Sequence, residues 1–93
     1  MEADRFEWDD RKGRLNRTKH GVSFEEAITV IDDELAVELE DLDHSWEEAR
    51  TILIGSSDSA RVLLVVYLER DTLDEKYRII SARKATPRER STY

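Results

Sequence analysis

The rhythm of apolar and polar residues changes several times along the chain, and each change predicts an element. Phe6 and Trp8 alternate with charged neighbours over residues 5 to 8, which predicts a short strand with both aromatics on one face. Asp9 or Asp10 then offers an N-cap for a helix running to about His20, where Gly21 supplies a C-terminal cap behind the basic Lys19 and His20. Between Arg11 and His20 only Leu15 is strongly apolar, so this helix needs tertiary contacts or a bound partner to hold it. Gly13 in its interior costs a further ~1 kcal/mol relative to alanine. A second helix opens with Ser23 and Glu26 in capping-box spacing, and Phe24, Ala27, Ile28 and Ile31 follow the i, i+3, i+4, i+7 pattern of a core-facing stripe.

The period then shortens to two. Leu35, Val37 and Leu39 alternate with Glu34, Ala36, Glu38 and Glu40, predicting a half-buried strand, and the polar stretch from Asp41 to Glu48 reads as a loop. Thr51 to Ile54 predicts a strand ended by the turn signal Gly55-Ser56-Ser57-Asp58-Ser59. Val62 to Leu68 is continuously apolar, as expected for a central strand covered on both faces. Asp71 to Glu75 turns the chain into a last strand, Tyr77 to Arg83, and Thr86, Pro87 and Glu89 supply the cap, first-turn proline and capping partner of a third helix. The order of elements predicts an α+β domain: an antiparallel sheet of four to five strands with two N-terminal helices and a C-terminal helix, residues 1–93 forming one unit.

Composition narrows the chemistry. The chain has no cysteine and only two histidines, His20 and His44, far apart, so neither a thiolate nucleophile nor a zinc-like ligand spacing is present; no cofactor is expected. The first residues lack an apolar targeting segment and no run approaches a membrane span, which predicts a soluble cytoplasmic protein. The net charge of -7 argues against nucleic acid until its distribution is considered. Residues 1 to 19 hold six basic and five acidic side chains, residues 20 to 49 eleven acids and no base, and residues 50 to 93 nine bases against six acids. Such a chain can present a basic face to RNA and an acidic face to a basic partner.

There is no Gly-rich phosphate loop, nucleophile elbow or HExxH helix. What remains is Arg, Lys, His, Tyr and carboxylate chemistry, which suits phosphodiester cleavage in which the 2′-OH of RNA attacks the adjacent phosphate: the protein then supplies a base, an acid and positive charge. Candidate groups are Lys19 and His20 at the end of the first helix, Arg70 at the end of the central strand, and Arg78 and Arg83 on the last strand. Arg78 and Arg83 are five residues apart and point to opposite faces of an undistorted strand, unless a bulge or the strand end redirects Arg83. Trp8 and Trp46 could stack on bases, against the commoner role of tryptophan as core or partner contact. Glu47 and Glu48 could pair with Arg50 or another basic residue of the sheet.

The ordered string FEWD at 6 to 9, KHGVSFEEA at 19 to 27, the segment from Asp41 to Arg50, IG at 54 to 55, LLVV at 63 to 66 and RIISARKAT at 78 to 86, followed by Arg88, Glu89 and Arg90, resembles the BrnT family of bacterial toxins. The resemblance implies a RelE-like ribonuclease fold and inhibition of translation by RNA cleavage, which the residue chemistry above makes metal-independent, with 2′,3′-cyclic phosphate ends. It also implies neutralisation by a BrnA-type ribbon-helix-helix antitoxin in a 2:2 heterotetramer, with operator DNA bound only through the antitoxin. On the family pattern the catalytic set is Lys19, His20, Arg70 and Arg83, with phosphate binding by Arg70 and Arg83 and proton transfer by Lys19 or His20; Arg50, Arg78 and Trp8 are expected to contact RNA. The sequence departs from that pattern at Gly13 and in the absence of a proline from 41 to 46. Two other readings compete: a non-catalytic module that holds an antitoxin and tunes its operon, and a direct DNA-binding protein, disfavoured by the net charge.

Overall fold

The computed structural model describes residues 3–42, 49–71, 73 and 76–93, without the side chains of Arg70 and Asp71. The expected loop thus lies largely outside the described residues, with His44, Trp46, Glu47 and Glu48. A 3₁₀ turn at Ala3–Arg5 leads into β1, Phe6–Glu7, and α1, Asp10–His20. Asp9 caps α1, its carboxylate accepting from the Lys12 amide at 3.1 Å, and Gly21 ends it in the left-handed conformation (φ 70°). The helix α2, Phe24–Thr29, tightens into a 3₁₀ turn at Val30–Asp32. Four strands follow, β2 Val37–Glu40, β3 Arg50–Ser56, β4 Val62–Asp71 and β5 Lys76–Lys84, and the chain closes with α3, Pro87–Arg90.

The five strands form one sheet in the order β1-β5-β4-β3-β2. Every pairing is antiparallel except the first: β1 lies parallel to β5, with Phe6 opposite Tyr77 and Glu7 opposite Arg78. The sheet is therefore mixed rather than antiparallel throughout. A two-residue strand has little ladder to hold it, and aromatic packing supplies the rest. The Phe6 ring stacks on Tyr77 at 5.0 Å and meets Tyr67 edge-on at 5.1 Å, contacts worth about 0.5–1.5 kcal/mol each beyond their buried area.

One face of the sheet carries the core. Leu53, Leu63, Val65, Tyr67, Ile79 and Ala82 pack against Val22, Phe24, Ala27 and Val30, with Trp8, Ile28 and Ile31 at the margin. The stripe predicted for α2 accordingly faces inward. In α1 the expectation reverses: Leu15 is 59% exposed, while polar Asn16 is buried. Its amide donates to the carbonyls of Val22 and Ala82 (2.9 and 2.8 Å) and accepts from the Ala82 N–H at 3.2 Å. Asn16 thus takes the place of a neighbouring strand where β5 runs beyond β1. Three buried bonds at about 0.5–1.5 kcal/mol each tie down a helix that has almost no apolar face.

Two further expectations change. Residues 34 to 36 do not join β2, because Asp33 gathers them into a turn: its carboxylate accepts from the Leu35 amide and its carbonyl from the Ala36 amide, both at 3.0 Å. Leu35, in that turn, and Leu39, on the edge strand β2, are then 75% and 41% exposed rather than half-buried. Gly55 and Ser56 do not turn the chain but complete β3. A Cβ on Gly55 would lie 2.8 Å from Val30 Cγ1 and 2.9 Å from Ala36 Cβ, so glycine here permits a close approach. The turn itself comes later and has Ala60 at φ 60°.

Candidate functional site

The face of the sheet turned away from α1 and α2 collects arginines through a defect in β5. From Lys84 to Ser81 the pairing with β4 is regular, with Arg83 opposite Leu64 and Ser81 opposite Val66; the register then slips, so that Tyr67 faces Ile79 and Leu68 faces Arg78. Ile80 is the extra residue of a β-bulge. A single inserted residue restores the phase between two positions five apart, so Arg78 and Arg83 both share the face of Leu64, Val66 and Leu68. Arg50 lies opposite Leu68 on the other side, giving a row Arg50–Leu68–Arg78–Glu7 across four strands. Arg83 lies four residues of β4 away from that row, about 13 Å.

These arginines are held differently. Arg83 makes a two-pronged pair with Glu89 of α3, Nη1 to Oε1 at 2.7 Å and Nη2 to Oε2 at 2.8 Å. The Arg83 guanidinium, helped by the Thr86 amide, holds the Glu89 carboxyl at a pKa of about 2, and the carboxylate in return strengthens the charge on Arg83. Glu89 also closes a capping box with Thr86, as the spacing predicts. Its second role, six residues from Arg83, has no local sequence signal. Arg78 is more loosely engaged: among the described residues it is paired with the Glu7 carboxylate at 3.7 Å, and its buried Nε has no hydrogen-bond partner there.

Beyond α3 the chain returns across the sheet. The Tyr93 hydroxyl donates to the Asp33 carboxylate at 2.6 Å, and Asp33 also accepts from the Ser56 amide at 2.8 Å. The tail therefore spans from the end of β5 to the turn before β2. Ile54 and Leu64, which point away from α1 and α2, are nevertheless 2% and 7% exposed, as residues beneath this segment should be. The part of the face carrying Val66, Ser81 and Ile52 is only half-buried.

The remaining expected site residues are placed elsewhere. Lys19, exposed, and His20, half-buried, end α1, and no described contact joins them to Arg78 or Arg83. Arg70 is in β4 beside a second irregularity, between Glu69 and Asp71; its side chain lies outside the described residues. Trp8 packs edge-on against Phe24 at 6.1 Å and over Gly13, and lines a cleft of about 210 Å³ with Arg14 and Arg17 on the helix side. The sequence also hides the partner of Glu26. Instead of completing the expected capping box, its carboxylate accepts from Arg61 and, at 2.7 Å, from the Ser57 hydroxyl; the Arg61 guanidinium holds it below the usual carboxylate range.

Comparison with known proteins agrees with this architecture. No curated protein sequence matches. The crystal structure of the Brucella abortus ribonuclease toxin BrnT superposes with a TM-score of 0.63 at 22% identity, over 85% of this chain and 92% of that one, and so shares the fold. The family model described as "Ribonuclease toxin, BrnT, of type II toxin-antitoxin system" matches residues 8–89, nearly the whole chain. The chain belongs to the BrnT family of type II toxin–antitoxin ribonuclease toxins.

Proposed function

We propose that this toxin is a metal-independent endoribonuclease whose RNA site is the arginine-bearing face of the sheet. The observation that carries the reading is the bulge at Ile80, which turns Arg78 and Arg83 to the same side and aligns Arg78 with Arg50. Cleavage through the 2′-OH needs no protein nucleophile, only charge on the phosphorane and proton transfer. Arg83 stabilises the phosphorane, Arg50, Arg78 and, further along β4, Arg70 bind the flanking backbone, and Lys19 or His20 moves the proton from the end of α1, reached around the end of the sheet where Arg61 bonds the Gly21 carbonyl. Trp8, beside Arg14 and Arg17, offers a separate stacking contact. The products are a 2′,3′-cyclic phosphate and a 5′-hydroxyl end, and translation stops because its templates are cut.

The test is purified toxin with a long single-stranded RNA in EDTA, with fragment ends analysed. Cyclic phosphate ends that disappear in Arg83→Ala support the reading. Intact RNA, or cleavage that survives the substitution, overturns it.

The same toxin needs a surface for its antitoxin, which we take to be a BrnA-type basic partner in a 2:2 assembly. Edge strand β2 and its flanks suit it: Leu39 on the strand, Leu35 before it and Leu42 after it are exposed among Glu34, Glu40 and Asp41, so an added strand would find unpaired backbone, apolar contacts and opposite charge. Glu34→Lys with Glu40→Lys should weaken complex formation and spare cleavage. Were complex formation lost but no cleavage found in any preparation, the non-catalytic module would be the better reading.

A further inference from the structure

A second cationic site lies around the end of the sheet, clear of the arginine face. Arg61 from the turn between β3 and β4, Lys84 from the end of β5 and Arg90 from the last turn of α3 line a cleft of about 270 Å³ with Ala60, Val62 and Ala85. Among the described residues no carboxylate lines it. Glu26 stands behind Arg61, which donates from Nε and Nη2 to its carboxylate and from Nη2 to the Gly21 carbonyl at 3.2 Å. This clamps the guanidinium and leaves Nη1 without a hydrogen bond among the described residues. Lys84 and Arg90 are exposed and have no ion-pair partner among those residues. Three cations against one carboxylate leave about two positive charges at the cleft, in a protein whose net charge is -7.

We propose that this cleft binds a phosphate group, and that during RNA cleavage it holds a phosphodiester next to the one being cut. The second clause rests on the ribonuclease reading above; the first does not. The strand places the two sites together: Arg83 and Lys84 are successive residues of β5, one beside Leu64 on the arginine face and the other beside Leu63 on the helix face. A backbone leaving Arg83 around the end of β5 meets Lys84 next, and then Arg61 and Arg90. A guanidinium fixed by Glu26 at the rear and two exposed cations at the rim suit a phosphate oxyanion.

The experiment is an amide NMR titration of the full chain with inorganic phosphate at constant ionic strength. It is compared with the variant carrying Lys84→Gln and Arg90→Gln, both exposed and neither part of the core. Saturable shifts confined to residues 60–62 and 84–85, absent from the variant, are expected. No saturation, or equal shifts in the variant, overturns the cleft as an anion site. A 2′-O-methyl oligonucleotide, which cannot be cleaved, is then titrated. It should displace phosphate from those residues, and the salt dependence of its binding should fall in the variant by about 1.4 in log–log slope, the value for two lost single-strand phosphate contacts. Phosphate binding without displacement would overturn the assignment to RNA and make free phosphate the ligand. Failure of the wild-type chain to cleave RNA, with the phosphate shifts intact, would remove the ribonuclease reading and leave the cleft standing.

Discussion

On one face of the sheet Leu63, Val65, Tyr67, Ile79 and Ala82 lie beneath α1 and α2, none more than 2% exposed. On the other, the intervening residues of β4 stand beside Arg83, Ser81 and Arg78 of β5. The same two strands build both. The first face is constrained by volume, since close-packed side chains tolerate neither voids nor added atoms. The second is constrained by phase: it gathers positive charge because one extra residue, Ile80, returns Arg78 to the side of Arg83. A change in size should therefore damage the first face and spare chemistry, and a change in charge should do the reverse.

The largest effect expected is on the second face. Arg83→Ala should lower the rate of RNA cleavage about 100- to 1000-fold, the usual consequence of removing one donor that stabilises transition-state charge. Its cost in stability should be small, because both partners of the pair are partly exposed, 37% for Arg83 and 26% for Glu89. Fragment release and thermal melting measured on one preparation would separate the two. A collapse of the melting temperature that accounts for the lost activity would make Arg83 a structural residue and erase the proposed division.

Gly55→Ala is the matching change on the first face. The new methyl would meet Val30, Ala36 and the Asp33 carboxylate at 3.0 Å or less, an overpacking that costs about 1–3 kcal/mol. Urea denaturation should show that loss, while cleavage per folded molecule stays near wild type. Unchanged stability would mean that the turn at Asp33 moves aside freely.

Why the first face was legible and the second was not follows from range. The caps at Asp9, Gly21, Ser23 and Thr86 and the stripe from Phe24 to Ile31 are local, and periodicity and short-range hydrogen bonding decide them. Phase across a bulge is not local: Arg78 and Arg83 read as opposed, and only the pairing of β5 with β4 shows otherwise. The same holds for charge partners. Glu26 pairs with Arg61, 35 residues away, rather than closing its capping box, and Arg78 has Glu7 as its neighbour because β1 pairs parallel to β5. Alternation also misleads at Leu39, since an edge strand can alternate without anything covering it, and at Leu35, which the turn at Asp33 takes out of the strand. Of the expected site, Arg50, Arg78 and Arg83 come together on one face; Lys19, His20 and Trp8 sit with the helices.

The pair that joins the tail to the arginine face gives a smaller, pH-dependent test. The Glu89 carboxyl titrates at about 2 in the folded chain, below its ordinary value near 4.3. A lowered folded value means the contribution is fully present above the ordinary pKa and is lost as pH falls towards 2. With the discount for exposure it amounts to about 1 kcal/mol. Comparing urea denaturation at pH 6 and pH 3, the wild type should lose about half of this increment and Glu89→Gln should not. Equal losses would show that other carboxylates govern the acid limb and that the Arg83 pair contributes nothing measurable.

The smallest effect expected lies at the edge of the packed face, and its sign is what matters. Gly13 occupies the interior of α1, where glycine is about 1 kcal/mol worse than alanine. A Cβ there would touch Trp8 and Phe24 at 3.4 to 3.6 Å, ordinary contact distances. Gly13→Ala should therefore stabilise the chain by a few tenths of a kcal/mol, up to the full propensity difference of about 1 kcal/mol. A differential melt resolves the direction. Destabilisation would mean that Trp8 packs against the helix with no room for a methyl, which would extend the strict volume rule of the sheet core out to this aromatic. Stabilisation would place the boundary of that rule at Phe24 and leave Trp8 and its cleft with Arg14 and Arg17 free to adjust to whatever binds there.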